Sequence, residues 1–185
     1  MRFFLAALLF LTLPLAPAFA QESCARAADR ELRLTNSDRP ERITARSSGP
    51  SCAQTIVVWT LRDARGDPLF VFASTFSDMT NNPVDHPVST DVMDNFLRAW
   101  VRAPIQSSEP SLPDWPDGAE SLGASAPAGA SYDTPYERET YLALRARNLP
   151  LLCVLNSAES EQCLIVDPIS HAPTVILFRA RPSPG

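Results

Sequence analysis

The chain has 185 residues, a formal net charge of −5 and a hydrophobic content of 45%. This acidic balance argues against a nucleic-acid-binding role, because such proteins present a basic surface to the phosphates. A domain of this length can bury about 70% of its unfolded surface, so it can fold without a metal, a cofactor or an obligatory partner. We therefore expect no cofactor, no metal site and a monomer.

The first twenty residues have the pattern of a secretory signal peptide. Arg2 precedes an apolar run at 3–15, and residues 18–20 read Ala-Phe-Ala, a small-residue cleavage site. The apolar run is too short to span a bilayer, and no later stretch is long enough. We predict that residues 1–20 are removed, and that 21–185 form a single soluble domain, periplasmic or secreted, without membrane insertion.

All four cysteines, Cys24, Cys52, Cys153 and Cys163, follow the predicted cleavage site. An even number of cysteines in an exported chain predicts two disulfides. Two apolar runs flank the polar turn at 157–160 and would form a hairpin in which Cys153 opposes Cys163 at the separation a disulfide requires. Cys24 then pairs with Cys52 by elimination. We expect structural cysteines, because neither a C-x-x-C motif nor zinc-ligand spacing is present.

The first part of the mature chain predicts four strands. Polar and apolar residues alternate at 31–36 and 42–46 around turn residues at 37–40, which indicates a half-exposed hairpin. The segments 55–61 and 69–76 are rich in β-branched and aromatic residues and predict a second hairpin. Because both runs are almost continuously hydrophobic, we expect cover on both faces of the sheet.

Two helices follow. Ser89 or Thr90 can cap the first, whose apolar residues fall on one half of the helical wheel. These apolar residues are Val92, Met93, Phe96, Leu97, Trp100 and Val101. The second helix begins at Thr134, where a threonine N-cap, a proline at the first helical position and Glu137 match a capping box, and it should end near Arg147.

Between the helices, residues 103–135 form a long segment rich in Pro, Ser, Ala and Gly that lacks useful periodicity. A structureless loop of this length in a compact domain is functional, mobile or conceals structure. Residues 121–131 have almost nothing to bury, so we expect them to be the most mobile part.

Trp115 is the residue of this loop that most suggests binding. It lies between Pro113 and Pro116, in a stiff segment that could project the ring towards a partner or a pocket. The alternative is that the ring packs onto the sheet and fills a gap in the core. Tyr132, Tyr136 and Tyr141 could line a groove beside it.

The predicted order is four strands, a helix, the long loop, a second helix and three strands. Neighbouring strands joined by short turns pair antiparallel, which indicates an α+β fold with one mostly antiparallel sheet of about six to seven strands. We expect the first helix on one face, and the second helix or the long loop on the other. Two separate small domains are the alternative.

No catalytic motif is present: the sequence lacks a G-x-S-x-G elbow, an H-E-x-x-H helix, a Gly-rich phosphate loop and a calcium loop. We therefore predict no catalytic residue and no enzymatic activity. The first hypothesis is a binding or inhibitory module of the cell envelope that contacts an unknown protein or small-molecule ligand through Trp115, Tyr132 and Tyr136. One alternative is a structural envelope component. Another is a hydrolase whose acid/base residues lie in loops and are brought together by folding, namely Asp85, His86, Asp167 and His171.

Overall fold

A computed structural model of the chain describes residues 23–35 and 38–180. Within these ranges the chain forms an α+β fold with two antiparallel sheets of four and five strands and with four α-helices. The predicted signal peptide, residues 1–20, lies outside the described residues. No helix in the described ranges is long and apolar enough to cross a membrane.

The first sheet contains four strands in sequential order, each antiparallel to the next. Its strands are β1 (Arg26–Leu32), β2 (Glu41–Ser48), β3 (Ile56–Arg62) and β4 (Pro68–Thr75). In β2 the alternation of side chains buries Ile43 and Ala45 and exposes Arg42 and Arg46. One face of this sheet therefore contributes to the core.

The first hairpin begins earlier than the sequence pattern predicted. Strand β1 ends at Leu32, which pairs with Glu41, whereas we expected a strand over 31–36. The buried Glu41 carboxylate accepts a hydrogen bond from the Leu34 backbone N–H at 2.9 Å and another from the Thr35 hydroxyl. These bonds hold the segment after Leu32 as a loop, because they direct its polar groups to a side chain and not to a strand.

The expectation that both faces of the first sheet are covered was wrong. On the outer face, Ile56 and Val71 remain 56% and 54% exposed. In the part of the chain that the structure describes, it is the inner face that packs into a core, against the helix at Thr90–Trp100 and against the second sheet. β-branched residues fit a pleated, half-buried surface, so their enrichment in β3 and β4 does not require cover on both faces.

Two helices follow the first sheet: α1 (Phe76–Thr80) and α2 (Thr90–Trp100). Helix α2 forms as expected, with the Ser89 hydroxyl accepting from the Val92 backbone N–H at 3.3 Å. Its buried residues include Met93 and Leu97, but Val92 is 51% exposed, contrary to its expected place on the apolar face. Helix α1 was not predicted, because its five residues are too few to show a helical period.

The second sheet has the strand order β5-β7-β8-β9-β6. Its strands are β5 (Ile105–Ser107), β6 (Ser131–Asp133), β7 (Pro150–Leu155), β8 (Ser160–Val166) and β9 (Pro173–Ala180). Strands β7 and β8 form a hairpin that pairs Cys153 directly with Cys163. Disulfides join these two residues and join Cys24 to Cys52, the pairing expected from the sequence.

This hairpin separates two hydrophobic cores. Leu152 and Leu164 point to the first core, which they share with α2 and the inner face of the first sheet. Leu151 and Ile165, their neighbours in sequence, point to the second core on the opposite face. The second core consists of Leu112, Leu122, Tyr141, Leu149, Leu151, Cys153, Cys163, Ile165, Ile176 and Leu177. The chain thus uses two sheets where we expected one of six to seven strands.

The segment 103–135 contains short elements that the sequence did not reveal. Besides β5 and β6, it forms helix α3 (Ser108–Ser111) and a 3₁₀ turn at Leu122–Ser125. Leu122 is buried, although it lies in the stretch that we expected to have almost nothing to bury. The segment therefore covers the second core.

Helix α4 (Arg138–Ala146) begins three residues later than expected, with its N-cap at Glu137 and not at Thr134. The Thr134 hydroxyl does not cap the helix but donates to the Ile176 carbonyl at 2.8 Å. Strand β6 pairs with β9 up to Asp133, so the chain must leave the sheet and turn before it can form a helix. Glu137 occupies the N-cap position, without a side-chain capping bond.

Ser108 links the long segment to the end of α4, and its replacement tests that link. Its buried hydroxyl donates to the Arg145 carbonyl at 3.1 Å and accepts from the Leu149 backbone N–H at 2.9 Å. We expect Ser108→Ala to lower the free energy of unfolding by about 1–3 kcal/mol, because it leaves a buried N–H unpaired. Urea unfolding measures the loss. The matched control is Ser107→Ala at an exposed neighbour, and equal stability of both variants would contradict the role of Ser108.

Candidate functional site

The three aromatic residues predicted to bind a partner lie on the same side of the second sheet. Trp115, Tyr132 and Tyr136 come from the long segment, from β6 and from the turn before α4. Each is half-buried and packs against the second core. Folding therefore brings all three to the margin of one hydrophobic cluster, with part of each side chain open to solvent.

Trp115 is fixed by two contacts. Its indole N–H donates to the Ala119 carbonyl at 3.0 Å, which closes the loop that carries it. Its ring lies 5.8 Å from the ring of Tyr141, at an interplanar angle of 60°. The packing role considered from the sequence is therefore present, while the half-buried ring retains an accessible part.

Tyr141 is the buried centre of this region and does not line a surface groove. Its side chain is fully buried, and its hydroxyl donates to the Pro113 carbonyl at 2.8 Å. Burial raises the pKa of the Tyr141 hydroxyl, because the phenolate would lose its hydration. Tyr141 thus connects α4 to the prolines around Trp115.

Arginines of α4 hold the loop from its other side. Arg145 donates to the Leu112 carbonyl at 3.1 Å and pairs with Asp114 at 2.8 Å. Arg138 pairs with Asp117 at 3.1 Å. Sequence reasoning missed these contacts, because no spacing rule relates a helix to acids more than twenty residues earlier. Both carboxylates are exposed, so the ion pairs orient the loop more than they stabilise the fold.

Tyr132 and Tyr136 differ from Tyr141 in the state of their hydroxyls. Neither hydroxyl has a hydrogen-bond partner within residues 23–35 and 38–180, whereas that of Tyr141 is bonded. A half-exposed tyrosine with a free hydroxyl offers both apolar area and one hydrogen bond to a partner. These two residues therefore have the chemistry expected of contact residues.

The histidines of the alternative hydrolase hypothesis are not joined to acids. His86 and Asp85 are exposed in the loop before α2, and His171 is half-buried after β8 with a positive φ of 59°. In the described part of the chain, no hydrogen bond or ion pair connects either imidazole ring with a carboxylate. The four candidate residues thus do not form an acid/base set in this conformation.

Asp167 instead organises the turn between β8 and β9. Its carboxylate accepts from the backbone N–H groups of Ile169 and Ser170 at 2.8 and 3.0 Å, and it forms an ion pair with Arg147. The Ser170 hydrogen bond and the Arg147 ion pair hold the pKa of Asp167 well below its usual value. The carboxylate is therefore already committed as an ionised turn former.

Two concavities lie away from the three aromatic residues. One, of about 500 Å³, is open between the β3–β4 turn and the loop that contains His171. The other, of about 230 Å³, lies beside the end of α2 and is lined by Phe96, Trp100, Arg102 and Glu161, among others. Small-molecule sites usually occupy about 300–1,000 Å³, so the second concavity is small for a ligand pocket, whereas the first falls within that range but is open to solvent. Among the described residues, no group of three or more His, Cys, Asp or Glu side chains could hold a metal ion.

Comparison with protein-family models, curated proteins and solved structures finds no match to this chain. Its function must therefore be inferred from its own residues. The two disulfides are consistent with an extracellular or periplasmic protein, because structural disulfides persist in oxidising compartments.

Replacing Trp115 tests how much its packing contributes. We expect Trp115→Ala to lower the free energy of unfolding by about 1–2 kcal/mol, since the half-buried ring loses its contact with Tyr141. Trp115→Phe retains an aromatic ring and should lose less than half of that amount. Urea unfolding measures both variants. Unchanged stability in Trp115→Ala would show that the ring does not support the fold.

The Asp167 turn predicts a pH dependence of stability. Because the folded pKa lies below the unfolded value of about 3.9, the ionised carboxylate stabilises the fold above that value and loses this effect as the pH falls. Asp167→Asn should therefore be less stable than the native chain at neutral pH, with the difference shrinking below about pH 4. Urea unfolding across this pH range measures it, and Asp85→Asn in an exposed loop controls for net charge. A pH-independent difference would contradict the assignment.

Proposed function

We propose that the chain is an exported, non-enzymatic binding or inhibitory module of the cell envelope. Its contact surface is the aromatic patch formed by Trp115, Tyr132 and Tyr136. The observation that carries this proposal is the gathering of three half-buried aromatic side chains at the margin of one core, two of them with unpaired hydroxyls in the described chain. A partner protein suits this surface better than an enclosed small molecule, because the patch lies outside the two concavities described above.

The fixed position of Trp115 in the aromatic patch favours binding. Trp115 is held by the Ala119 carbonyl and by Tyr141, so little conformational freedom is lost when a partner covers it. Tyrosine and tryptophan supply large contact areas with few rotatable bonds, and they are enriched at the centres of interfaces. The exposed charges of Asp114, Asp117 and Arg138 then provide a polar rim around an apolar centre.

Export is the second part of the proposal. The apolar run with its Ala-Phe-Ala site supports a cleaved signal peptide, and the paired cysteines support an oxidising destination. A periplasmic or secreted location follows from both features. The hydrolase alternative has less support, because Asp167 is engaged in its turn and no carboxylate orients either histidine among the described residues.

The test separates binding from folding by removing only hydroxyl groups. The double variant Tyr132→Phe/Tyr136→Phe should have a free energy of unfolding within about 0.5 kcal/mol of that of the native chain, as measured by thermal unfolding. The reason is that neither hydroxyl is bonded within the described chain. The same variant should lose most capture of a partner when the tagged mature chain is incubated with an envelope extract and bound proteins are quantified by mass spectrometry.

Two control variants accompany the capture experiment. Ile169→Ala removes an 88% exposed apolar side chain from a distant loop and should retain the same captured protein. Tyr141→Phe removes a buried, bonded hydroxyl and should lower stability instead. The proposal fails if the native chain captures no protein above an unrelated bait, or if the double tyrosine variant captures it equally well. A structural envelope component would give that first result.

A further inference from the structure

Strand β4 is an unusual sheet edge within this chain. Proteins protect edge strands by making them short, by placing charges on them or by covering them. Strands β5 and β6, the edges of the second sheet, have three residues each, and β1 carries four charged residues and packs against α2. Strand β4 has eight residues, none charged and none fully buried, although they include Phe70, Val71 and Phe72. Among the described strands, β4 alone is a long and uncharged edge.

The outward backbone groups of β4 can be identified from the register. The Phe76 N–H donates to the Thr55 carbonyl at 3.0 Å, which fixes the phase of the ladder with β3. Hydrogen-bonded pairs alternate in an antiparallel ladder, so Phe70, Phe72 and Ser74 bond to β3 while Val71 and Ala73 point away from it. In the described chain, no backbone or side-chain group bonds to these outward positions. An additional β-strand beside β4 would pair these outward N–H and C=O groups.

We propose that β4 pairs with β4 of a second copy of this chain, antiparallel about a two-fold axis at Phe72. In this register Val71 lies opposite Ala73 of the second copy and Ala73 lies opposite its Val71. Each pair exchanges two N–H···O bonds, so all outward groups of these residues find partners. The two Phe72 side chains meet at a non-hydrogen-bonded pair, where cross-strand aromatic contacts are closest.

The absence of charged residues on β4 favours a second copy of the same strand, because no like charges meet along it. At its beginning, Arg62 and the 79% exposed Arg65 lie with Asp63 and Asp67, to both of which Arg65 is ion-paired, and exposed Asp78 lies just beyond its end. Antiparallel pairing sets this mixed-charge end of one copy beside the Asp78 end of the other. Pairing would join two four-stranded sheets into one of eight, in place of the monomer expected from the sequence.

The first experiment measures the molar mass of the protein in solution as a function of protein concentration. Light scattering after size-exclusion chromatography of the disulfide-intact mature chain should show a monomer–dimer equilibrium over an about hundredfold concentration range. Val71→Lys places a lysine on the edge and should weaken dimerisation by about tenfold or more. The matched control is Ile56→Lys, which makes a similar change at an equally exposed site of the same face but on internal strand β3, and it should leave the dimer intact.

The second experiment reports the register and does not depend on the lysine variants. Residues in hydrogen-bonded pairs lie about 5.5 Å apart at Cα, within the range for disulfides. A mixture of Val71→Cys and Ala73→Cys chains should therefore form a disulfide-linked heterodimer, which mass spectrometry identifies, at several times the yield of a mixture of Val71→Cys with Ile56→Cys.

Four outcomes overturn the proposal. The first is a monomer mass at every concentration, which would leave the edge to a strand of another protein. The second is equal disruption of the dimer by Ile56→Lys and Val71→Lys, which would indicate stacking of the outer sheet faces. The third is a dimer that Val71→Lys leaves unchanged. The fourth is equal yields in the two cysteine mixtures.

Discussion

The fold depends on the two-faced apolar character of the β7–β8 hairpin. Alternate residues of each strand point to opposite faces, and apolar side chains such as Leu151, Leu152, Leu164 and Ile165 occupy both. A sheet that is apolar on both faces must be covered on both, because exposing either face would forfeit its hydrophobic burial. The Cys153–Cys163 disulfide joins the two strands at a directly opposed pair and so fixes the register of the hairpin.

The two layers of cover come from different parts of the chain. The first sheet and α2 cover one face with regular elements, so that side has a conventional α+β core. Among the described residues, the other face is covered by α4 and by the segment 103–135, which supplies Leu112, Leu122 and Trp115. A segment with little regular structure cannot enclose every aromatic side chain that it brings. This deficit leaves Trp115, Tyr132 and Tyr136 half-buried and so accessible to the partner that we propose.

Local signals in the sequence predicted the elements they govern. Ser89 and the apolar wheel identified α2, and the apolar runs around 157–160 placed Cys153 opposite Cys163. The division into two sheets was not predictable, because β5 and β6 are three residues long and exist only through pairing with β7 and β9. The capping box at Thr134 misled for a related reason: the hydroxyl satisfies the Ile176 carbonyl in the sheet, and this tertiary contact outweighs the local helix signal. Of the site, the sequence indicated the three aromatic residues but neither the burial of Tyr141 nor the role of Arg145.

The two proposed surfaces lie in different layers, and this arrangement affects how they would act together. The aromatic patch borders the second core, on the face of the second sheet turned away from the first sheet. Strand β4 is an edge of the first sheet, so pairing through β4 leaves Trp115, Tyr132 and Tyr136 uncovered. A dimer would then present two identical patches joined by one continuous sheet. If a partner offers repeated binding sites, the second contact becomes intramolecular and strengthens attachment without any new interaction. In both proposals taken together, the unprotected edge and the loosely covered core would serve one function, since the edge would set the valency and the aromatic patch would make the contact.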